Sequence, residues 1–160
     1  MTVQDNPYKP PAAEVRDMPS AIDRLYSPGQ IAGAAFLGSP IAGCWLLASN
    51  FGELGRLDDQ RKSIVGGLVA TVALVAAAFL LPDNFPNSVL PVAYTVVLHQ
   101  LATKLQGASF RAHLEAGGRK HSHWRVVGIG LGFLVLVLLV LFGILLLLPE
   151  SLVQSVASTG

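Results

Sequence analysis

The chain has 160 residues, of which 52% are hydrophobic and 13% charged, with a mean hydropathy of +0.54 and a formal net charge of +1. Soluble domains carry about 25% charged residues, so this composition excludes an ordinary soluble domain and points to a membrane protein. The only cysteine, Cys44, excludes an intrachain disulfide.

The N-terminal tail, residues 1–27, contains Pro7, Pro10, Pro11 and Pro19 and reads as extended or disordered, in part a ligand for a partner. It does not have the short basic start of a secretory signal. Ile22, Leu25 and Tyr26 can lie on a membrane surface. "SPGQ" then reads as a helix start, with Ser27 as cap, Pro28 as first helical residue and Gln30 completing a capping box.

A membrane helix bundle is expected over residues 28–149, with spans at 31–49, 64–81, 89–106 and 126–148. In the first, Ala35, Ser39 and Gly43 recur at a spacing of four, the small-residue pattern that lets helix backbones approach closely in lipid. Pro40 should kink this helix. Its glycines and proline make it the weakest inserter, and the alternative is a re-entrant segment. The second span offers Gly66 with Ala70, and Ala73 with Ala77, as packing positions. "PDNFPNS", residues 82–88, ends it, and so short a loop returns the third span antiparallel beside it.

The third span places Thr95, His99, Thr103 and Gln106 on one helical face. His99 would sit ~13 Å beyond Leu90, near mid-bilayer. An ionisable group at that depth marks either a path for a substrate or proton, or a contact with neighbouring helices. The helix should continue beyond the membrane towards Ala116 and end at Gly117 and Gly118.

"RKHSHWR", residues 119–125, allows two readings. One is a basic collar in which Arg119, Lys120 and Arg125 meet lipid headgroups and Trp124 sits in the interfacial aromatic belt. The other is a metal site built from His113, His121 and His123 with Glu115, which the surrounding positive charge and the absence of cysteine disfavour. No metal or other cofactor is expected. The last span, Val126–Leu148, is 23 uncharged residues, about 34 Å of helix. Its "GIGLG" follows no strand, so it is no phosphate loop, and Gly128 and Gly132 read as a helix-packing pair. Residues 150–160 form a C-terminal tail.

Lysine and arginine place the loops. The first loop (50–63) and the third (107–125, with Lys104) carry eight of the eleven, and the second loop and C-terminal tail carry none. Positive charge marks the cytoplasmic side, so loops 50–63 and 107–125 face inward and the C-terminus outward. With four spans the N-terminal tail and its three cations lie outside. With three spans and a re-entrant first segment, all eleven lie inside.

"LYSPGQI", "FLGSPIAG" and "LLASNFGELG" together resemble a pattern of small uncharacterised bacterial inner-membrane proteins, over residues 25–55. That resemblance implies a multi-pass protein of a bacterial inner membrane and carries no activity or site.

The expectation is an all-α polytopic membrane protein of four transmembrane helices, or of three plus a re-entrant segment. It is not an enzyme, since no paired carboxylates or nucleophile with a base has a credible context. It acts as an accessory, assembly or interaction subunit, an immunity-type protein included. Its partners are the lipid bilayer and another membrane protein or a further copy of itself, with no nucleic acid. The competing expectation is a small homo-oligomeric transporter or channel using His99. Lipid binding through the basic third loop is a third.

Overall fold

The computed structural model describes residues 23–82, 84–86 and 88–147. The Pro-rich part of the tail, the C-terminal tail at 150–160, Leu148, and the turn formers Asp83 and Asn87 lie outside the described residues. The order is β1 (Arg24–Leu25), α1 (Pro28–Gly38), α2 (Pro40–Glu53), α3 (Leu57–Leu80), α4 (Val89–Glu115), β2 (Arg119–Lys120) and α5 (His123–Leu147).

The SPGQ start forms as its pattern predicts. The Gln30 N–H donates to Ser27 Oγ at 3.2 Å, and the Ser27 N–H donates to Gln30 Oε1 at 3.0 Å. The first apolar segment, however, is not the one kinked helix expected over 31–49. It breaks at Ser39 into α1 and α2, and the chain doubles back. Pro40 denies its ring nitrogen to the helix ladder and disfavours helical backbone at Ser39. Ser39 instead takes φ 78° and ψ 169°, a region that L-residues seldom occupy.

The two arms pack antiparallel. A Cβ added at Gly43 would lie 2.8 Å from Ala35 Cβ and 3.0 Å from the Ile31 carbonyl. Ala35 and Gly43 thus face each other across a hairpin with Ser39 at its tip, and they are not successive steps of one helix stripe. The arms have 11 and 14 residues, about 16 and 21 Å, too short to cross a hydrocarbon core of about 30 Å.

This hairpin is the core of the molecule. Ile31, Ala34, Ala35, Ala42 and Leu46 are completely buried, with Leu47 and Phe51 nearly so. Helix α3 packs along α2, whereas α4 and α5 pack chiefly on α1, and the three long helices touch the hairpin far more than one another. Helix α4 runs to Glu115 and ends at Gly117, whose φ of 85° suits glycine. The parallel strands pair Arg24 with Arg119 and Leu25 with Lys120. Residues 24 and 119 therefore lie at the same end of the molecule.

Among the described residues, two helices are long and apolar enough to cross a membrane, Leu57–Ala78 within α3 and His123–Leu147. Only 11% and 6% of their apolar windows are buried in the fold. Most of their leucines and valines are exposed, although Val126 is buried in the core. Helix α4 is as long but carries His99, Gln100, Lys104 and Gln106.

Candidate functional site

A polar network closes the base of the hairpin. The Tyr26 N–H donates to Asn50 Oδ1, and Asn50 Nδ2 donates to the Tyr26 carbonyl, both at 2.8 Å. The same Nδ2 donates to Gln106 Oε1 at 2.9 Å, and Gln106 Nε2 donates to the Leu47 carbonyl at 2.8 Å. Asn50 and Gln106 are each 2% exposed. This ties α1, α2 and α4 together where an unpaired amide would be costly. Gln30 extends the tie to the turn before α5, donating from Nε2 to the His121 carbonyl at 2.7 Å.

The His121 ring stacks on Tyr26, with centroids 4.1 Å apart. Burial, then the nearby Arg125 and Arg24 cations, lowers its pKa below the usual histidine value. Burial also raises the Tyr26 pKa, with Arg125 opposing. Asp23, Arg24, Glu53, His121 and Arg125 line a polar cavity of about 330 Å³ at this end.

The sequence-predicted polar face of α4 is divided. Gln106 points inward with Leu98 and Ala102, all three buried. His99 and Thr103 are exposed on the neighbouring flank, and the Thr103 hydroxyl donates to the His99 carbonyl at 2.8 Å. Thr95 Oγ1 and, at the hairpin tip, Ser39 Oγ are buried without a hydrogen-bond partner among the described residues.

The small residues are also divided. Ala35 and Gly43 pack inside the hairpin. Ala70 is half-buried, as is Ala77, while Ala73 is exposed. Nothing lies within 4 Å of a Cβ added at Gly66, Gly128 or Gly132. The close approaches occur at neighbouring glycines that the spacing argument passed over. A Cβ at Gly67 would come within 2.5 Å of Cys44 Cβ, and Gly38 abuts the Gly130 carbonyl. Beside Gly67, the Thr71 hydroxyl accepts the Ile41 N–H at 3.1 Å, satisfying an orphan amide of the first turn of α2.

The fold leaves two larger cavities, both bordered by Pro40, Leu74 and Tyr94. One, of about 560 Å³, lies beyond the hairpin tip and reaches Phe85 and Pro91. The other, of about 420 Å³, is a groove between α3 and α4 over the outer face of α2.

The three histidines of the metal reading are not brought together. His113 Nε2 bonds the Arg119 carbonyl at 3.1 Å, His121 is held under Tyr26, and His123 is exposed at the start of α5. Among the described residues no three His, Cys, Asp or Glu side chains cluster for a metal, and Glu115 is exposed. In the basic collar, Arg119, Lys120 and Arg125 are exposed and Trp124 is 84% exposed. Sequence reasoning passed over Asn50; a lone amide among "LLASNFGEL" was its signal. In comparisons with known proteins, no family, curated protein or solved structure matches the chain.

Proposed function

We propose that the chain is a multi-pass membrane protein in which α3, α4 and α5 span the bilayer and the α1–α2 hairpin is re-entrant. It acts as a non-catalytic interaction or assembly subunit. The pairing of Arg24 with Arg119 supports three spans, because four would put those residues on opposite sides. The charge distribution agrees. With the hairpin re-entrant, the N-terminal tail, first loop and third loop share one side and hold all eleven Lys and Arg residues, while the second loop and C-terminal tail hold none. That side is cytoplasmic. A bacterial inner membrane follows from the resemblance at residues 25–55.

The observation that carries the interaction reading is His99. It lies about 15 Å along α4 from Val89, near mid-bilayer, and is exposed outside the groove that α4 forms with α3. A polar ring facing lipid at that depth is costly, and another membrane helix on this flank removes the cost. Thr103 adds a second polar group on the same flank, and α1 leaves Gly29 and Gly33 open for close approach. The competing reading is transport. Because His99 faces outward, a path along it requires several copies of the chain.

Affinity purification from native membranes in a mild detergent, with mass spectrometry and a particle mass, separates the two. The interaction reading expects a stoichiometric different membrane protein that His99→Leu releases. A homo-oligomer whose ion or proton flux is lost in His99→Ala would replace it with transport.

A further inference from the structure

We propose that the groove between α3 and α4 is a binding site for one anionic phospholipid of the cytoplasmic leaflet. One acyl chain lies along the groove and the phosphate meets Lys62. The inference rests on the reading that α3 and α4 span a membrane.

Three features of the groove select this occupant. The first is its length. Its walls run from Ser63 to Leu74 on α3 and from Tyr94 to Leu105 on α4, about 16 Å each. Half of a hydrocarbon core of about 30 Å is about 15 Å, so the groove spans one leaflet and stops at the hairpin tip, Pro40.

The second is its width. Its volume is about 420 Å³ over that length. A helix about 10 Å across would fill roughly 1,200 Å³ over the same length. The groove therefore suits a single chain of methylenes, bordered by apolar side chains such as Leu47, Leu98 and Leu101.

The third is the charge at its mouth. Arg56, Asp59 and Lys62 stand together there. Asp59 binds Arg56 through both Nη2 and Nε, at 2.6 and 2.8 Å. Lys62 Nζ lies 3.9 Å from the same carboxylate, and its side chain is 78% exposed. Two cations against one carboxylate leave one net positive charge, carried by the looser group. An acyl chain leaving the bilayer for an apolar groove changes its surroundings little, so selection falls on the headgroup. A net cation selects an anionic one.

The test uses the full chain in mild detergent, exposed to equal amounts of phosphatidylglycerol and phosphatidylcholine with the same acyl chains, and read by native mass spectrometry. One bound phosphatidylglycerol is expected, with a preference of about fivefold, the effect of one lysine at a headgroup. Lys62→Gln should abolish the preference. Gly66→Trp should abolish retention of either lipid, because Gly66 borders the groove and has open space at its Cβ. An unchanged far-ultraviolet circular dichroism spectrum verifies that each variant keeps its helical fold. Equal retention of the two lipids, no retained lipid, or undiminished retention by Gly66→Trp would overturn the site and leave the membrane reading standing. A particle of doubled mass that Gly66→Trp dissociates would overturn it in favour of a second copy. Loss of the protein from carbonate-washed membranes would overturn both.

Discussion

Asn50 grips the main chain of Tyr26 with both ends of its amide, 24 residues away, accepting from the N–H and donating to the carbonyl at 2.8 Å each. Tyr26 precedes α1 and Asn50 sits in the last turn of α2, so this pair closes the base of the hairpin. Gln106 then locks the closed hairpin to α4.

Replacing Asn50 should therefore loosen the whole bundle. Asn50→Leu leaves the Tyr26 N–H, the Tyr26 carbonyl and Gln106 Oε1 without their partner, at a cost on the order of 3 kcal/mol. Asn50→Asp keeps the acceptor but sets an anionic oxygen against two other acceptors, and should cost at least as much. Gln106→Leu removes fewer bonds and should cost less. Thermal exposure of Cys44 to a thiol dye reads the order. A Gln106 variant weaker than both Asn50 variants would contradict it.

The glycines give a paired contrast. Gly38→Ala and Gly67→Ala force a methyl into Gly130 and Cys44, respectively, and should destabilise by about 1–3 kcal/mol. Gly128→Ala and Gly132→Ala meet open space and should be neutral, or stabilising by up to about 1 kcal/mol. Melting all four in the same detergent checks this. Damage from Gly128→Ala equal to that from Gly67→Ala would place an unseen packing partner on the outer face of α5.

Sidedness follows from the strand pair. In a Cys44→Ala background, Asp23→Cys and Ala116→Cys should react with an impermeant thiol reagent from the same face of the membrane. Asn84→Cys should react from the other. Labelling of positions 23 and 84 from one face would restore the four-span topology and remove the re-entrant hairpin.

Acid should weaken the base of the hairpin. The folded state lowers the His121 pKa, so the unfolded chain binds the proton more readily. This contribution is fully present above the unfolded value of about 6.5, declines as pH falls below it, and levels off under the folded value. His121→Phe keeps a ring on Tyr26 and removes the titration. Its melting temperature should fall less than that of the native chain between about pH 8 and about pH 5. Parallel curves would mean that His121 does not contribute.

The sequence by itself determined the helical class, the cap at Ser27, the apolar windows of α3 and α5, and the end of α4 at Gly117. Each rests on neighbours within one turn or on the length of an uncharged run. The fate of residues 31–49 was not legible in the same way. Ala35, Ser39 and Gly43 at a spacing of four suit one helix stripe, and Pro40 is compatible with either a kink or a break. Only the tertiary structure chose the break. Closing the hairpin requires Asn50 to find Tyr26, Gly43 to admit Ala35, and Thr71 of α3 to satisfy the Ile41 amide. The polar face of α4 divided for the same reason. Thr95, His99, Thr103 and Gln106 share a face by periodicity, but the hairpin occupies only part of it. It takes Gln106 into the Asn50 network and leaves His99 outside. Spacing along a helix states which residues travel together. Which of them become buried depends on the width and position of the element packed against them.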